Sequence, residues 1–587
     1  MQSETAKIYL QHLLAESLSE LKLTSLLDSD PQISVPDPKH GDFSTNAGLV
    51  LAKKLKENPV QVAEKLVVAL KKYDTQGVFE EIASTGGFVN FKLAAGFLVQ
   101  NLAKILEQGE LFGASISGGG KPVVVEYFQN NVAKPPHVGH LRSAVIGDCL
   151  LRVLKAQGYK TISDTHIGDW GVQFGILLFA YKEFVKAGGK KELLEADPIN
   201  ELNKLYVAMS ARIEADPALR EKGKEEFVKL EKGDTENREL WQWFVKVSLE
   251  DFERYRQLLQ ILPFDHNLGE SFYEDKMPAV LEELKNKGLV QSGETGEQYV
   301  DLESFGLGRC ILVKSDGGTT YHMRDFATYI YRRKEFDFYK NIYVVDNRQS
   351  HHFRQLFKVL ELAGYPAGTD SAHVDLGFMS LPEGAISTRK GTTISLQNLI
   401  DEAQSRALAI IKEKNPELNN QQAVAKEVAL AAIKYFDLSH NRKTEIVFTW
   451  DKALSFEGNT GPYLQYTHAR IHGILRKAHQ ADPPWHPEQP LSGLTEAKIS
   501  APERALLGKL VLFPEVVAQV AEEYLPNLLC NYLFELSQAY NQFYEVSPVV
   551  QEPDLDTRHL RLAICQAAAQ VISNGLYLLG ITAPEEM

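Results

Sequence analysis

The sequence predicts an α/β protein in three parts: a parallel-sheet middle between a small α/β unit and an all-α tail. Three observations carry this. Between about 113 and 400, β-branched runs alternate with amphipathic segments, the pattern of crossovers onto a parallel sheet. Before about 112, two helical segments flank a turn-rich centre. After Leu396 strand signals stop and long stretches of helical periodicity follow. A chain of 587 residues has room for all three.

In the first part (1–112), helical segments at Ile8–Leu23 and Pro59–Lys71 surround Pro36-Asp37-Pro38-Lys39-His40-Gly41-Asp42-Phe43. Gly86-Gly87 then turns the chain into a strand, Phe88–Phe91. Ser115–Gly120, rich in Gly and Ser, reads as a linker. In the middle part (113–400), Val123–Phe128 is a strand and Leu141–Gln157 a helix with apolar Leu141, Val145, Cys149 and Val153. Tyr159–Ser163 completes a βαβ unit. Strands near Cys310–Val313 and Ile342–Val345, the latter followed by a helix from His352, extend a doubly wound, Rossmann-type sheet. Its ligand is expected at the strand C-termini. Charged helical sequence from about 183 to 265, reaching to about 300, reads as an insertion with solvated faces. In the last part (401–587), Ala423–Phe436, Tyr463–Lys477, Ala505–Tyr524, Leu528–Tyr544 and Arg558–Leu579 form a helical bundle.

Apolar residues make up 44% and charged residues 24%, ordinary for a globular protein. No apolar run approaches the roughly 18 residues of a membrane span. Glu4, Glu16 and Glu20 interrupt the N-terminus, which does not resemble a secretory signal. Cys149, Cys310, Cys530 and Cys565 are scattered, so neither a zinc ribbon nor a disulfide framework is expected, and a reducing cytoplasm is the natural setting. The net charge of −14 argues against indiscriminate nucleic-acid coating, although a local basic face can still bind RNA.

The most informative stretch joins the first strand of the middle part to its helix. Asn131-Val132-Ala133-Lys134-Pro135-Pro136 leads into His137-Val138-Gly139-His140 at the helix start. Two imidazoles three residues apart share the first turn, where backbone N–H groups and the helix dipole favour phosphate. Gly139 removes a side chain between them, and Lys134 adds a cation. The tetrapeptide by itself is equally compatible with histidines that merely cap the helix.

The ordered markers resemble the class I aminoacyl-tRNA synthetases, and among them the arginine family. They are Glu126–Lys134 with the H-x-G-H tetrapeptide, Gly168-Asp169-Trp170-Gly171-Val172-Gln173-Phe174-Gly175, and Ser315-Asp316-Gly317 with Tyr321 and Asp325. Val344-Val345-Asp346 before Arg348-Gln349, and Phe456-Glu457-Gly458-Asn459-Thr460-Gly461-Pro462-Tyr463, complete them. The resemblance spans nearly the whole chain. There are two departures. The second class motif, usually Lys-Met-Ser-Lys-Ser, is reduced to Ala385-Ile386-Ser387-Thr388-Arg389-Lys390-Gly391, and Phe128-Gln129-Asn130 replaces small residues and proline in the substrate loop.

The resemblance implies a ligase with L-arginine, ATP and tRNA(Arg) as partners. Arginyl-adenylate would form first, and the arginyl group would then pass to the terminal adenosine, with Mg²⁺ bridging phosphates. His137 and His140 would contact phosphate oxygens alongside Gly139. Lys134 would stand in for the eroded loop and hold pyrophosphate, helped by Arg389 and Lys390. Because a guanidinium pairs with carboxylates in a planar fork, Asp325 and Glu126 would bind it, with Tyr321 alongside if that segment is helical. Asn131 and Gln349 would take the amino-acid end, and His166 and Trp170 would be structural. Asn541, Tyr544 and Met587 would meet the anticodon. A monomer without membrane attachment or protein-held metal is expected. The alternatives are a sibling synthetase for cysteine, methionine or glutamate, a small nucleotidylyltransferase, and an inactive RNA-binding relative. Clustered zinc ligands would mark the cysteine and methionine enzymes, and absence of the helical tail the nucleotidylyltransferase.

Overall fold

The computed structural model describes residues 5–26, 32–380, 395–481, 484–486 and 499–587. The valine run becomes β1 (Pro122–Glu126), at the centre of a four-stranded parallel sheet. Its neighbours are β2 (Lys160–Asp164) on one side and β3 (Lys340–Asp346) on the other, with β4 (Ser371–Leu376) outside β3. Val123, Val124 and Val125 are all buried, as expected of a parallel strand covered on both faces. The register sets Glu126 beside Asp164 and beside Tyr343, so two carboxylates end adjacent strands. Three helices follow these strands or run toward them: α1 (Val138–Ala156), α2 (Tyr321–Phe336) and α3 (Ser350–Leu362).

Three expectations are corrected. Arg309–Val313 does not join the parallel sheet but pairs antiparallel in a separate sheet with Gln298–Asp301, which pairs in turn with Val290–Ser292. The connection from Asp301 to Arg309 is too short for a parallel crossover, which needs a dozen or more residues. The inserted helices, followed by Met277–Asn286, give way to strands before 300. The helix expected at Ala505–Tyr524 is two, Ala501–Val511 and Phe513–Glu523, because Pro514 fits the first turn of a helix and not its interior.

The N-terminal unit is a four-stranded antiparallel sheet with helices Ala6–Glu20, Ala47–Leu55 and Pro59–Tyr73. Gly86-Gly87 forms the hairpin between its last two strands. Arg504 of the tail reaches into this unit, its Nη2 donating to Asp42 Oδ2 at 3.2 Å. No helix among the described residues is long and apolar enough to cross a membrane.

α1 is shared between the parallel sheet and the helical tail. Arg142, buried, donates from Nε to Asp437 Oδ1 at 3.0 Å and from Nη1 to the carbonyls of Gly377 and Thr444. Farther along, Arg152 pairs with Asp148 at 2.8 Å and lies over the ring of Tyr577. Lys434 donates to the Gly580 carbonyl, and burial brings its ammonium down to about 8. Breaking a buried pair strands a charge, at a cost of about 3–5 kcal/mol. Asp437→Ala should therefore lose stability on that scale in urea denaturation; a loss below about 1 kcal/mol would show that the seam is solvated.

Candidate active site

His137 is the N-cap of α1. Its Nδ1 accepts from the Gly139 N–H at 3.0 Å, and His140 Nδ1 accepts from the His137 N–H at 3.1 Å. The rings stack, centroids 3.9 Å apart. A Cβ on residue 139 would lie 2.8 Å from His137 Cε1, so the stacked cap requires glycine. An imidazole that accepts at Nδ1 while neutral carries its hydrogen on Nε2. Burial, and next the charge of Lys134, push His137 below its usual range. Burial, His137 and Lys134 together bring His140 to about 3. Capping and ligand binding are thus compatible: Nδ1 secures the helix, and Nε2–H remains a donor.

The imidazole pair borders a cleft of about 720 Å³ at the C-terminal ends of β1 and β3. Asn131, Tyr321, Asp325 and Gln349 line it as well. Asn131 is set by a bridge to Gly168, where a Cβ would lie 2.4 Å from Asn131 Oδ1. Lys134 turns away into a side crevice, its Nζ 4.5 Å from the ring centroid of Tyr206, although it remains near enough to act on both imidazoles. Burial lowers its ammonium, and no carboxylate among the described residues pairs with it. Arg389 and Lys390 lie outside the described residues.

α2 begins at Tyr321, which puts Tyr321, Asp325, Thr328 and Arg332 on one helix face. Arg332 is buried at the deep end, with Nη1 2.7 Å from Glu126 Oε2 and Nη2 2.8 Å from Asp164 Oδ2. Glu126 lines the cleft, but an internal guanidinium already holds its carboxylate. The reason is burial, since a carboxylate 5% exposed must be paired. Two turns back, burial would raise Asp325, but the bond from His352 and the nearby imidazoles bring it below the usual carboxylate range. Tyr321 is 66% exposed and stands at the cleft mouth, its ring edge-on to His352.

Several residues escape sequence reasoning. Glu270 lines the cleft near Asp325, and burial pushes its carboxyl up to about 7. It opens a short 3₁₀ helix, Glu270–Tyr273, too brief for its sequence to show a period that would mark it. Asn130 is buried at the cleft wall with both side-chain polar atoms unpartnered. His166 has φ +39°, and its Nε2 lies 3.9 Å from Asp325, inside the cleft and not merely behind it. Trp170 packs edge-on against Phe227 and Trp241, as a structural residue would.

In the tail, Asn541 Nδ2 donates to the Tyr463 hydroxyl at 2.8 Å, and Arg470 lies 5.0 Å from the Tyr544 ring centroid. Met587 is apart from them. Its carbonyl accepts from Asn415. Pro584 to Glu586 contact His468, His472 and Arg476, a helix face roughly half a turn from Tyr463 and Arg470.

A parallel sheet with this helix-capping histidine pair at its C-terminal edge, joined to a helical tail, defines a class I aminoacyl-tRNA synthetase. Residues 101–450 match the model for "tRNA synthetases class I (R), catalytic domain". Residues 464–587 match the DALR anticodon binding domain and 9–93 the arginyl tRNA synthetase N terminal domain. The chain is 40% identical to the arginine–tRNA ligase of Clostridium botulinum over 94% of this chain and 95% of that one. It is 38% identical to that of Clostridioides difficile over 99% of both. The arginyl-tRNA synthetase structure of Thermus thermophilus matches with a TM-score of 0.83 and 28% identity over 99% of each chain. The chain belongs to the arginyl-tRNA synthetase family.

Because His140 resists protonation when folded, the unfolded chain takes up a proton between pH about 6.5 and about 3 that the folded chain refuses. Its contribution to stability is complete above that window and is lost as pH falls through it. The stability deficit of His140→Gln, read from urea midpoints, should therefore shrink from pH 7 to pH 4.5; an unchanged deficit would contradict the assignment.

Proposed function

We propose that the cleft activates L-arginine with ATP and that the chain transfers the arginyl group to tRNA(Arg). A carboxylate oxygen of arginine attacks the α-phosphorus, the bond to pyrophosphate breaks, and arginyl-adenylate forms. A ribose hydroxyl of the terminal adenosine then attacks the arginyl carbonyl and AMP departs. The first step asks for positioning and charge stabilisation more than for a protein nucleophile. The Nε2–H donors of His137 and His140, neutral imidazoles that donate hydrogen bonds without giving up the proton, meet the phosphate oxygens with the open backbone at Gly139. Arg389 and Lys390 hold the departing pyrophosphate, and Lys134 joins them by swinging its ammonium out of the Tyr206 crevice. Mg²⁺ enters with the nucleotide, bridging its phosphates, as part of the substrate.

Asp325 and Glu270 receive the guanidinium, with Tyr321 at the mouth and Asn131 and Gln349 on the amino-acid end. The observation that carries this reading is Asp325 itself: a half-buried carboxylate held below its ordinary range, facing the cleft and paired with no permanent cation. Glu126 acts through Arg332, fixing the floor. Segment 113–400 does the chemistry, 401–587 reads the anticodon through Asn541, Tyr544 and Met587, and 1–112 braces the tRNA. The chain works as a cytoplasmic monomer.

Pyrophosphate exchange into ATP, measured with each amino acid with and without tRNA, tests the substrate. Exchange with arginine is expected, and exchange with another amino acid in its place would overturn the assignment. Asp325→Ala should raise the KM for arginine about a hundredfold or more, whereas His140→Ala should act chiefly on kcat, by about ten- to a thousandfold. Equal small effects would refute the site map. Since Glu270 gains its charge only as pH rises through about 7, arginine KM should fall between pH 6 and 8. Glu270→Gln should flatten that slope; an unaltered slope would exclude Glu270 from the pocket.

A further inference from the structure

We propose that His352 is a positioning residue for arginine recognition, fixing which oxygen of Asp325 faces the substrate while leaving the carboxylate its charge. The inference rests on Asp325 as a guanidinium partner. Asp325 Oδ2 lies 2.5 Å from His352 Nε2, a hydrogen bond, whereas Oδ1 lies 3.9 Å from His166 Nε2, too far for one. One oxygen is anchored and the other is left for a ligand. The remaining charged groups near the site are placed differently. Arg324 turns to Glu274 at 2.9 Å and Glu270 at 3.7 Å, and His322 packs on His352 without reaching Asp325 in any described hydrogen bond or ion pair.

His352 cannot swing away. It is the third residue of α3, its ring 4.2 Å from that of His322 and edge-on to Phe353 and Tyr321. Its Nδ1 is buried without a partner, so the hydrogen belongs on Nε2, aimed at Asp325. The two carboxylates are held in different ways. Glu126 is held by a permanent cation, Arg332, which cancels its attraction for another guanidinium. Asp325 is held by a ring that can donate a hydrogen bond without carrying charge. Only the second arrangement yields a carboxylate that is both oriented and still attractive to a cation.

The test compares His352→Leu, His352→Asn, His352→Gln and Asp325→Asn in the full-length enzyme, measuring KM for arginine, KM for ATP, kcat and thermal midpoint. Loss of the donor in His352→Leu, or its withdrawal in the shorter His352→Asn, should raise arginine KM about tenfold or more, the worth of one hydrogen bond to a charged group. ATP KM and kcat should stay within about threefold of the parent. His352→Gln, whose amide nitrogen reaches the place of Nε2, should restore arginine KM. Should Leu fail to fold, the Asn and Gln pair carries the comparison. An unchanged arginine KM in His352→Leu or His352→Asn beside a raised one in Asp325→Asn would overturn the positioning role and leave the pocket standing. An unchanged KM in Asp325→Asn would overturn the pocket. Parallel losses in ATP KM, kcat and thermal midpoint for all three His352 variants would mark the residue as structural and defeat the proposal.

Discussion

The cleft depends on one buried guanidinium. Arg332 closes two ion pairs at the C-terminal ends of β1 and β2, where the register forces Glu126 and Asp164 side by side. Two adjacent buried carboxylates would otherwise repel, and desolvation would drive protons onto them. Burial would raise Asp164, but the charge of Arg332 brings it below its ordinary range. The same contact fixes α2 against the sheet. Asp325, seven residues earlier, then falls on the open side of the cleft and not in the core.

Much of the architecture was legible because it is local. The strand ending at Glu126, the loop through Lys134 and the helix start at His137 lie within a few residues of one another, and their geometry follows from capping and periodicity. The split at Pro514 was missed, because apolar periodicity runs on across the two helices, although proline is tolerated in a first turn and not in an interior. What else escaped reading joins distant positions. Glu126 and Arg332 are far apart in sequence, and nothing near Glu126 announces its partner. The stripe of Tyr321, Asp325, Thr328 and Arg332 was the available hint, because a buried arginine on an acid-bearing face calls for a second carboxylate. Glu270 offered no hint. The strand Arg309–Val313 reads as a parallel-sheet strand from its apolar run, and only the short connection before it reveals the antiparallel pairing.

The site also illustrates how an acidic chain distributes opposite polarities within one cleft. With net charge −14 the molecule has no general attraction for phosphate. The end at the imidazole pair is built from oriented dipoles, two imidazoles lowered below their usual range and a helix N-terminus, with Lys134 near and Arg348 paired to Asp346. The other end gathers carboxylates whose partners differ: a fixed cation for Glu126, imidazole for Asp325, and an incomplete contact with Arg324 for Glu270. The polarity of the cleft is set less by how many charges it holds than by which of them are already neutralised.

α1 belongs at once to the parallel sheet, through its capped N-terminus, and to the tail, through Arg142, Arg152 and the neighbourhood of Lys434. A helix that forms part of the core of two units cannot be surrendered by one alone. Melting of the bundle therefore strips the histidine-capped turn of its support, and the two regions come apart as a single cooperative foldon despite their contrasting architectures.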